Sequence, residues 1–169
     1  MFVGFGFKPS DRSLTCYLFS KVTSKSMLHL DQVQIKDFDL YGEKEPWEIW
    51  DLHGGCNLQS DEDLYFFTKL KKKSQNGSRI NRSVGTGTWM GEDSGKPIYS
   101  QLSAIQPLGF KRRFRYEGGV PQQVGQWIMH EYSLNTTLVP ENDQGYVLCR
   151  VRKNDREEKK AEKRRKLIT

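Results

Sequence analysis

The stretch Gln126-Trp127-Ile128-Met129-His130-Glu131-Tyr132 decides the fold, because it predicts the central strand of a β-sheet. Its apolar side chains are too dense for a strand at the edge of a sheet. Apolar segments separated by Gly, Pro and Asn predict strands near 64–70, 86–92, 97–100, 109–117, 125–135 and 145–152. Since the regular alternation of strands and helices is absent, the sheet is predicted to be mainly antiparallel.

Helices are predicted close to the N-terminus. Ser10 or Asp11 offers an N-cap, and apolar residues follow at helical spacing, so that a helix is expected over 11–24. The segment 28–40 fits either a short helix or a strand. The predicted fold class is therefore α+β and mainly β, with an antiparallel sheet and a few helices beside it.

The composition is that of one folded domain without a membrane span. A chain of 169 residues with 36% apolar side chains can form one hydrophobic core, and two full domains are not expected. No run approaches the roughly 18 apolar residues that a membrane helix needs. The cysteines Cys16, Cys56 and Cys149 form no CxxC motif, so no disulfide framework is predicted. His53 and Cys56 have metal-like spacing, but without a second pair no metal site is expected.

The sequence does not predict an enzyme. The histidines are His29, His53 and His130, and none of them lies in a motif with a nucleophile. His130 falls in the central strand, which favours a hydrogen-bonded histidine of the core over a general base. The acidic cluster Asp61-Glu62-Asp63 is expected to be a solvated turn or a helix cap. No catalytic residue and no cofactor are predicted.

The charges of the chain are concentrated in two basic segments. Residues 67–116 carry 11 basic and 2 acidic side chains, whereas residues 1–66 carry 6 basic and 11 acidic ones. Residues 150–169 carry 10 basic and 4 acidic side chains, and the formal net charge of the whole chain is +6. Such a distribution indicates a polyanionic partner. A solvated face with a charged tail is the alternative that charge alone leaves open.

The basic segment contains two clusters around turn residues and strand starts. The first cluster comprises Lys69, Lys71, Lys72, Lys73, Arg79 and Arg82, and the second comprises Lys111, Arg112, Arg113 and Arg115. Clustered cations bind phosphates because each neutralised phosphate releases counterions. If the clusters are adjacent in space they form one stripe on the sheet, and otherwise they are two separate solvated loops.

Seven segments carry a resemblance to a known family. In chain order they are Gly4-Phe5-Gly6-Phe7-Lys8-Pro9-Ser10-Asp11, Glu45-Pro46-Trp47-Glu48, Tyr65-Phe66-Phe67, Asn76-Gly77-Ser78-Arg79-Ile80-Asn81-Arg82, Gly85-Thr86-Gly87-Thr88-Trp89, Trp127-Ile128-Met129-His130-Glu131-Tyr132 and Val147-Leu148-Cys149-Arg150. They resemble the blocks of the plant NAC domain, with its motifs GFRFxPTD, DPWE, YFF, NGSRPNR, GSGYW, WIMHEY and VLCR. The resemblance covers residues 4–153.

The resemblance implies a twisted antiparallel sheet flanked by a few helices, in a nuclear transcription regulator that binds double-stranded DNA as a dimer. It implies that the strand over 86–96 enters the major groove and that basic residues near it hold phosphates. Carried over by position, the DNA-binding residues are Lys73, Arg79, Arg82, Trp89, Lys96, Lys111, Arg112 and Arg113. No metal and no membrane association are implied. Residues 154–169 are expected to be a basic tail that is disordered or forms a frayed charged helix. Its basic residues Lys159, Lys160 and Lys163–Lys166 are typical of a nuclear import signal or of a nucleic-acid contact.

The chain departs from the family pattern in the DNA-reading strand. Where the family has Lys-Ala-Thr-Gly after the tryptophan, this chain has Met90, Gly91, Glu92 and Asp93. Two carboxylates near phosphates weaken binding unless cations intervene, although an acidic side chain can accept a hydrogen bond from cytosine N4. We therefore expect altered sequence preference or weaker DNA binding at these four positions.

The chain also departs from the family pattern in the dimer contact. The arginine and the glutamate that pair between subunits in the family are replaced by Gly6 and Ser13. An exposed ion pair contributes only about 0–1 kcal/mol, so its loss alone does not abolish a dimer. The sequence therefore leaves an alternative open, in which a degenerate NAC-like interaction module pairs with intact relatives as a homo- or heterodimer and modulates their DNA binding.

Overall fold

The computed structural model of the chain describes residues 7–23, 34–59, 61–154 and 163–168. The helices are α1 (Asp11–Thr23) and α2 (Pro46–Leu52). The strands are β1 (Ile35–Asp37), β2 (Leu64–Lys69), β3 (Lys71–Lys72), β4 (Ile80–Asn81), β5 (Ser83–Val84), β6 (Gly87–Gly91), β7 (Lys96–Ile98), β8 (Gly109–Gly118), β9 (Trp127–Leu134) and β10 (Tyr146–Lys153). Residues 163–168 are helical and exposed.

Among the described residues, eight strands form one sheet in the order β1-β2-β10-β9-β8-β6-β5, with β7 also paired to β8. Only the pairing of β1 with β2 is parallel, and the others in this sheet are antiparallel. The strand β9, which contains the stretch 127–132, pairs with β8 on one side and β10 on the other. The predicted fold class, a mainly antiparallel sheet with N-terminal helices, is thus confirmed.

The sequence did not predict the shortest strands. Strands β3 and β4 pair in a separate two-stranded hairpin, and β5 adds two residues to the edge of the large sheet. Such segments are too short for an apolar alternation to appear in the sequence. They decide where the first basic cluster lies, because β3, β4 and β5 carry or adjoin most of its residues.

Helix α1 covers one end of one face of the sheet. The hydroxyl of Ser10 accepts a hydrogen bond from the backbone N–H of Ser13 (3.1 Å), which makes Ser10 the N-cap. Leu14 and Leu18 are fully buried. They belong to a core cluster with sheet residues Tyr65, Phe67, Ile98, Tyr132 and Leu148. The other end of this face has no helix over it among the residues that the structure describes, and it carries charged side chains.

The opposite face of the sheet carries the larger core. Helix α2 and the segment before it bury Leu40, Tyr41, Ile49 and Trp50 against side chains of β6, β8, β9 and β10. The ring centroids of Trp50 and Trp127 lie 5.6 Å apart. Over the described ranges, no helix is long and apolar enough to cross a membrane, and no three His, Cys, Asp or Glu side chains are grouped to hold a metal ion.

The acidic cluster 61–63 differs from the expected solvated turn. The Asp63 side chain is only 3% exposed, and its carboxylate accepts hydrogen bonds from Arg152 Nε (2.7 Å) and Nη2 (3.1 Å). Arg150 Nε lies 3.5 Å from the same carboxylate. The prediction was wrong for Asp63, because the paired strands β2 and β10 bring two distant arginines beside it. Asp61 is exposed and pairs with Lys8. The tail expected to be disordered lies largely outside the described residues.

Candidate nucleic-acid interface

The segment from Met90 to Ile98 forms an open edge of the sheet. Strands β6 and β7 pair one after the other with the same side of β8, and the turn 92–95 links them. The backbone N–H of Glu92 still bonds to the carbonyl of Arg113 (2.9 Å), so the turn stays close to β8. Within the described part of the chain no strand pairs beyond this edge, and the Met90 side chain is 42% exposed. We call the segment 90–96 the edge segment.

The start of strand β6, which leads into the edge segment, is fixed by a buried carboxylate. Glu45, the residue before α2, accepts hydrogen bonds from the backbone N–H (2.7 Å) and the hydroxyl (2.6 Å) of Thr86. Gly85 precedes this contact with a φ of +54°, and a Cβ atom there would lie 2.2 Å from the Glu45 carboxyl carbon. The glycine is therefore required both for its backbone conformation and for the close approach.

The first basic cluster lies on the β3–β4 hairpin. Lys71 is held by the carboxylate of Asp39 and by the carbonyl of Tyr41 (3.1 Å). Lys73 and Arg79 are exposed, and the backbone N–H of Lys73 bonds to the carbonyl of Arg79 (2.9 Å). Among the described residues, no acceptor or carboxylate contacts the side chains of these two. Two predicted site residues are thus brought together as unpaired cations, which are suited to bind phosphate oxygens.

The second basic cluster is divided between the two faces of the sheet, because side chains alternate along β8. Lys111, Arg113 and Arg115 share the face that carries Met90, while Arg112 lies on the opposite face. The guanidinium carbon of Arg112 lies 4.8 Å from the centroid of the Phe114 ring. Arg82, which directly follows β4, lies over the same ring at 4.2 Å. The hairpin therefore joins the sheet on the face that carries Arg112, and cations flank the edge segment on both faces.

Acidic residues of the edge segment neutralise part of the second cluster. The Glu92 carboxylate lies 2.8 Å from Arg113 Nε and 3.5 Å from Arg115 Nη1. The carbonyl of Asp93 accepts a hydrogen bond from Arg112 Nε (2.9 Å), and its carboxylate accepts one from the backbone N–H of Arg113 (3.3 Å). Arg115 also pairs with Glu117, and this hydrogen bond raises the pKa of Arg115. Three arginines of β8 thus have partners within the chain, unlike Lys73 and Arg79 of the hairpin.

Three of the predicted site residues line one cavity of about 360 Å³. They are Lys96, Lys111 and Arg113, and the other lining residues are Asp11, Asp93, Pro97, Ile98 and His130. Lys96 is exposed and has no side-chain partner among the described residues. Lys111 Nζ lies 3.2 Å from the Asp11 carboxylate. Burial alone would raise the pKa of Asp11, but the hydrogen bond from Tyr132 and the charge of Lys111 hold it below its ordinary value.

His130 lines this cavity as a neutral imidazole. Burial and the positive charges of Arg150, Lys111, Arg113 and Arg152 lower the pKa of His130 to about 3. Its Nδ1 lies 3.3 Å from Nη2 of Arg150. An imidazole that stays uncharged at neutral pH adds no cation to the cavity, so any anion there is held by Lys96, Lys111 and Arg113.

Of the residues predicted to bind DNA, Trp89 lies in the core and Arg82 is partly buried. Trp89 is 2% exposed and packs on Tyr116, with ring centroids 6.3 Å apart, because its neighbour Met90 takes the outward position of the strand. The Arg82 side chain is 13% exposed, and both terminal nitrogens of its guanidinium donate to the carboxylate of Glu131. Direct contact of Arg82 or Trp89 with DNA, which the resemblance implied, does not fit these positions.

Sequence reasoning missed part of the charged face. Arg150 and Arg152 on β10 register with His130 and Ile128 of β9, and so lie on the same face as Arg113 and Arg115. The signal was present, since basic residues two positions apart on neighbouring strands share a face. The pairing of Arg82 with Glu131 carried no such signal, because 49 residues separate the two in the chain.

Comparison with known proteins relates the chain to one protein family. The family model described as No apical meristem (NAM) protein matches residues 1–134. The chain is 37% identical over 154 residues to NAC domain-containing protein 7 of Arabidopsis thaliana, which covers 88% of this chain and 36% of the relative. It is 35% identical over 150 residues to NAC domain-containing protein 101 of Arabidopsis thaliana, which covers 87% of this chain and 41% of the relative.

A further relative is Protein SOMBRERO of Arabidopsis thaliana, at 32% identity over 152 residues, which covers 88% of this chain and 39% of the relative. The chain thus spans about two fifths of the length of these curated relatives.

Proposed function

Because this chain belongs to the NAC family of plant transcription regulators, we propose that it is a nuclear, sequence-specific DNA-binding regulator of transcription. One observation carries the proposal: Lys73 and Arg79 on the hairpin and Lys96 on the open sheet edge have no side-chain partner among the described residues, and further arginines flank this edge on both faces. Double-stranded DNA offers phosphates on both walls of its major groove, which is about 12 Å wide and admits a two-stranded β-ribbon.

In the proposed complex the edge segment lies in the major groove. Lys73 and Arg79 contact phosphates on the side of the hairpin, and Lys96 contacts them on the side of the cavity. Arg112 adds to the first side, and Lys111 and Arg113 add to the second side once their internal partners give way to phosphate. Phosphate contacts of this kind position the protein on the duplex but do not read its sequence.

Base recognition in this proposal comes from the edge segment itself. Met90 is the exposed apolar side chain of β6, and an apolar group favours contact with the methyl group of thymine. Glu92 can accept a hydrogen bond from cytosine N4 only if it is released from Arg113. We therefore expect this chain to prefer different bases from relatives that have lysine after the tryptophan.

A titration of fluorescein-labelled duplex DNA, followed by anisotropy, tests the proposal. The variant with Lys73→Gln and Arg79→Gln is expected to bind at least tenfold more weakly than the natural chain. The matched control is Lys36→Gln, which removes one positive charge from β1 at the opposite edge of the sheet. Its affinity is expected to stay within about twofold of the natural chain. Equal affinities for all three proteins would contradict the proposal.

The contacts of Glu92 favour a second candidate function. A chain that neutralises its own arginines can act as an interaction module that pairs with intact NAC relatives and modulates their DNA binding. The variant Met90→Lys with Glu92→Thr discriminates between the two. If the natural chain does not bind DNA and the double change restores binding, the interaction module is supported. If the natural chain binds tightly and the change does nothing, the DNA-binding regulator is supported.

A further inference from the structure

We propose that Arg82 is a positioning residue for DNA binding, which acts from the core as the partner of Glu131 and does not touch phosphate. The inference rests on the proposed function of the edge segment and the hairpin. The sequence predicts that Arg82 binds phosphate, whereas the fold pairs its side chain with Glu131.

Both terminal nitrogens of the Arg82 guanidinium already have acceptors inside the protein. Nη1 and Nη2 donate to the two oxygens of Glu131, and Nη1 also donates to the hydroxyl of Tyr41 (3.0 Å). Tyr41 in turn donates to Glu131 (2.8 Å). The planar group stacks on Phe114 at 4.2 Å. Such a bidentate, stacked arrangement fixes the side chain in one orientation.

Arg82 cannot leave this position without leaving a buried carboxylate unpaired. The Glu131 side chain is 6% exposed and the Arg82 side chain is 13% exposed. Burial alone lowers the pKa of Arg82, but the hydrogen bond and charge of Glu131 raise it above its ordinary value. If the guanidinium turned toward phosphate, Glu131 would remain in the core as an uncompensated carboxylate.

Arg82 also connects the elements that carry the proposed interface. It stands between β4, which pairs with β3 in the hairpin of Lys73 and Arg79, and β5. Its carbonyl accepts hydrogen bonds from the backbone N–H of Trp89 (3.0 Å) and the hydroxyl of Thr88 (3.2 Å). Its side chain is bound to the central strand β9. Arg82 thus fixes the position of the hairpin, and of the strand that leads into the edge segment, relative to the sheet.

The test compares Arg82→Met, Glu131→Gln and the double variant with Arg79→Met, all in the full chain and on one labelled DNA duplex. Arg79→Met is expected to reduce the slope of log affinity against log salt by about 0.9, as the loss of one phosphate contact does. Arg82→Met and Glu131→Gln are each expected to weaken binding about tenfold or more without changing the slope. The double variant is expected to bind closer to the natural chain than either single variant does.

The opposite results would overturn the proposal. A phosphate ligand at position 82 would lower the slope by about one in Arg82→Met. Glu131→Gln would then bind as tightly as the natural chain or more tightly, since it only removes a negative charge. The proposal would also be contradicted if the double variant bound DNA no more tightly than Arg82→Met does.

Amide hydrogen exchange separates this inference from the proposed function, because it needs no DNA. Exchange at Lys73 and Trp89, whose N–H groups bond to Arg79 and Arg82, is expected to accelerate at least tenfold in Arg82→Met but not in Arg79→Met. Exchange along β2 and β10 serves as the reference for an intact fold. If Arg82→Met does not fold, Arg82→Lys, which keeps the charge but loses the bidentate pair, takes its place. If the amides of Lys73 and Trp89 exchanged in Arg82→Met at the same rates as in the natural chain, the inference would be overturned, whether or not the chain binds DNA.

Discussion

The Oε2 atom of Glu92 lies 2.8 Å from Nε of Arg113, so the edge segment carries its own counter-ion for the basic face of the sheet. The other oxygen of this carboxylate lies 3.5 Å from Arg115. If this edge binds DNA as proposed, such a contact competes with phosphate for the same arginines.

The first prediction concerns this competition. Glu92→Gln is expected to raise DNA affinity about threefold or more, because Arg113 loses its carboxylate partner, Arg115 keeps only Glu117, and a repulsive charge is removed. Anisotropy titration at low salt measures the change. Glu141→Gln, an equal change of charge in the turn between β9 and β10, is the control and is expected to have less effect. If the two variants gave the same affinity, the Glu92 contacts would not restrain binding.

The second prediction concerns Asp63, which the sequence assigned to a solvated turn. Asp63→Asn is expected to lower the free energy of unfolding by about 2 kcal/mol, because Arg150 and Arg152 lose a buried counter-ion. Denaturant unfolding measures the loss. The neighbouring change Asp61→Asn removes an exposed pair with Lys8 and should leave the unfolding curve unchanged. Similar curves for both variants would contradict the assigned role of Asp63.

The third prediction concerns Trp89, which packs in the core. Trp89→Ala is expected to cost about 3–5 kcal/mol of unfolding free energy, as the loss of a buried aromatic side chain usually does. Trp89→Phe, which keeps much of the packing, should leave the DNA affinity unchanged. A Trp89→Phe variant that folds normally but binds DNA more weakly would instead indicate direct contact with DNA.

The fourth prediction concerns the pH dependence of stability. The pKa of His130 is about 3 in the folded chain and about 6.5 in the unfolded chain, so between these values only the unfolded chain binds the proton. The contribution of His130 to stability is therefore present above about pH 6.5 and declines as the pH falls toward 3. His130→Asn keeps an acceptor near Arg150 and is expected to lose less stability than the natural chain between about pH 7.5 and pH 5. Equal losses in both proteins would contradict the lowered pKa.

The sequence predicted the large sheet well because its strands carry strong local signals. The dense run 127–132 marked the central strand, and β2, β8 and β10 were each bounded by turn residues. The N-terminal helix was equally clear, since Ser10 offered a cap ahead of an apolar stripe. These features depend on neighbours in the chain, and the sequence contains them directly.

The site was less predictable because its charges are set by pairs that are distant in the chain. Clustered cations identified Lys73 and Arg79, but nothing local separated them from Arg82, whose partner Glu131 lies on another strand. The period of two in β8 would have placed Arg112 and Arg113 on opposite faces. The sequence marked Glu92 and Asp93 as departures from the family pattern, but their contacts with the arginines of β8 appear only in the fold.

The salt dependence of DNA affinity tests the central claim most directly. If Lys73, Arg79 and Lys96 bind phosphates, the logarithm of affinity should fall against the logarithm of salt with a slope of about −3 or steeper between about 50 and 200 mM. Replacing all three with glutamine should make the slope shallower by about 2.7, while Lys36→Gln should not change it. A flat salt dependence of the natural chain, or an unchanged slope in the triple variant, would contradict the claim that this edge of the sheet binds DNA.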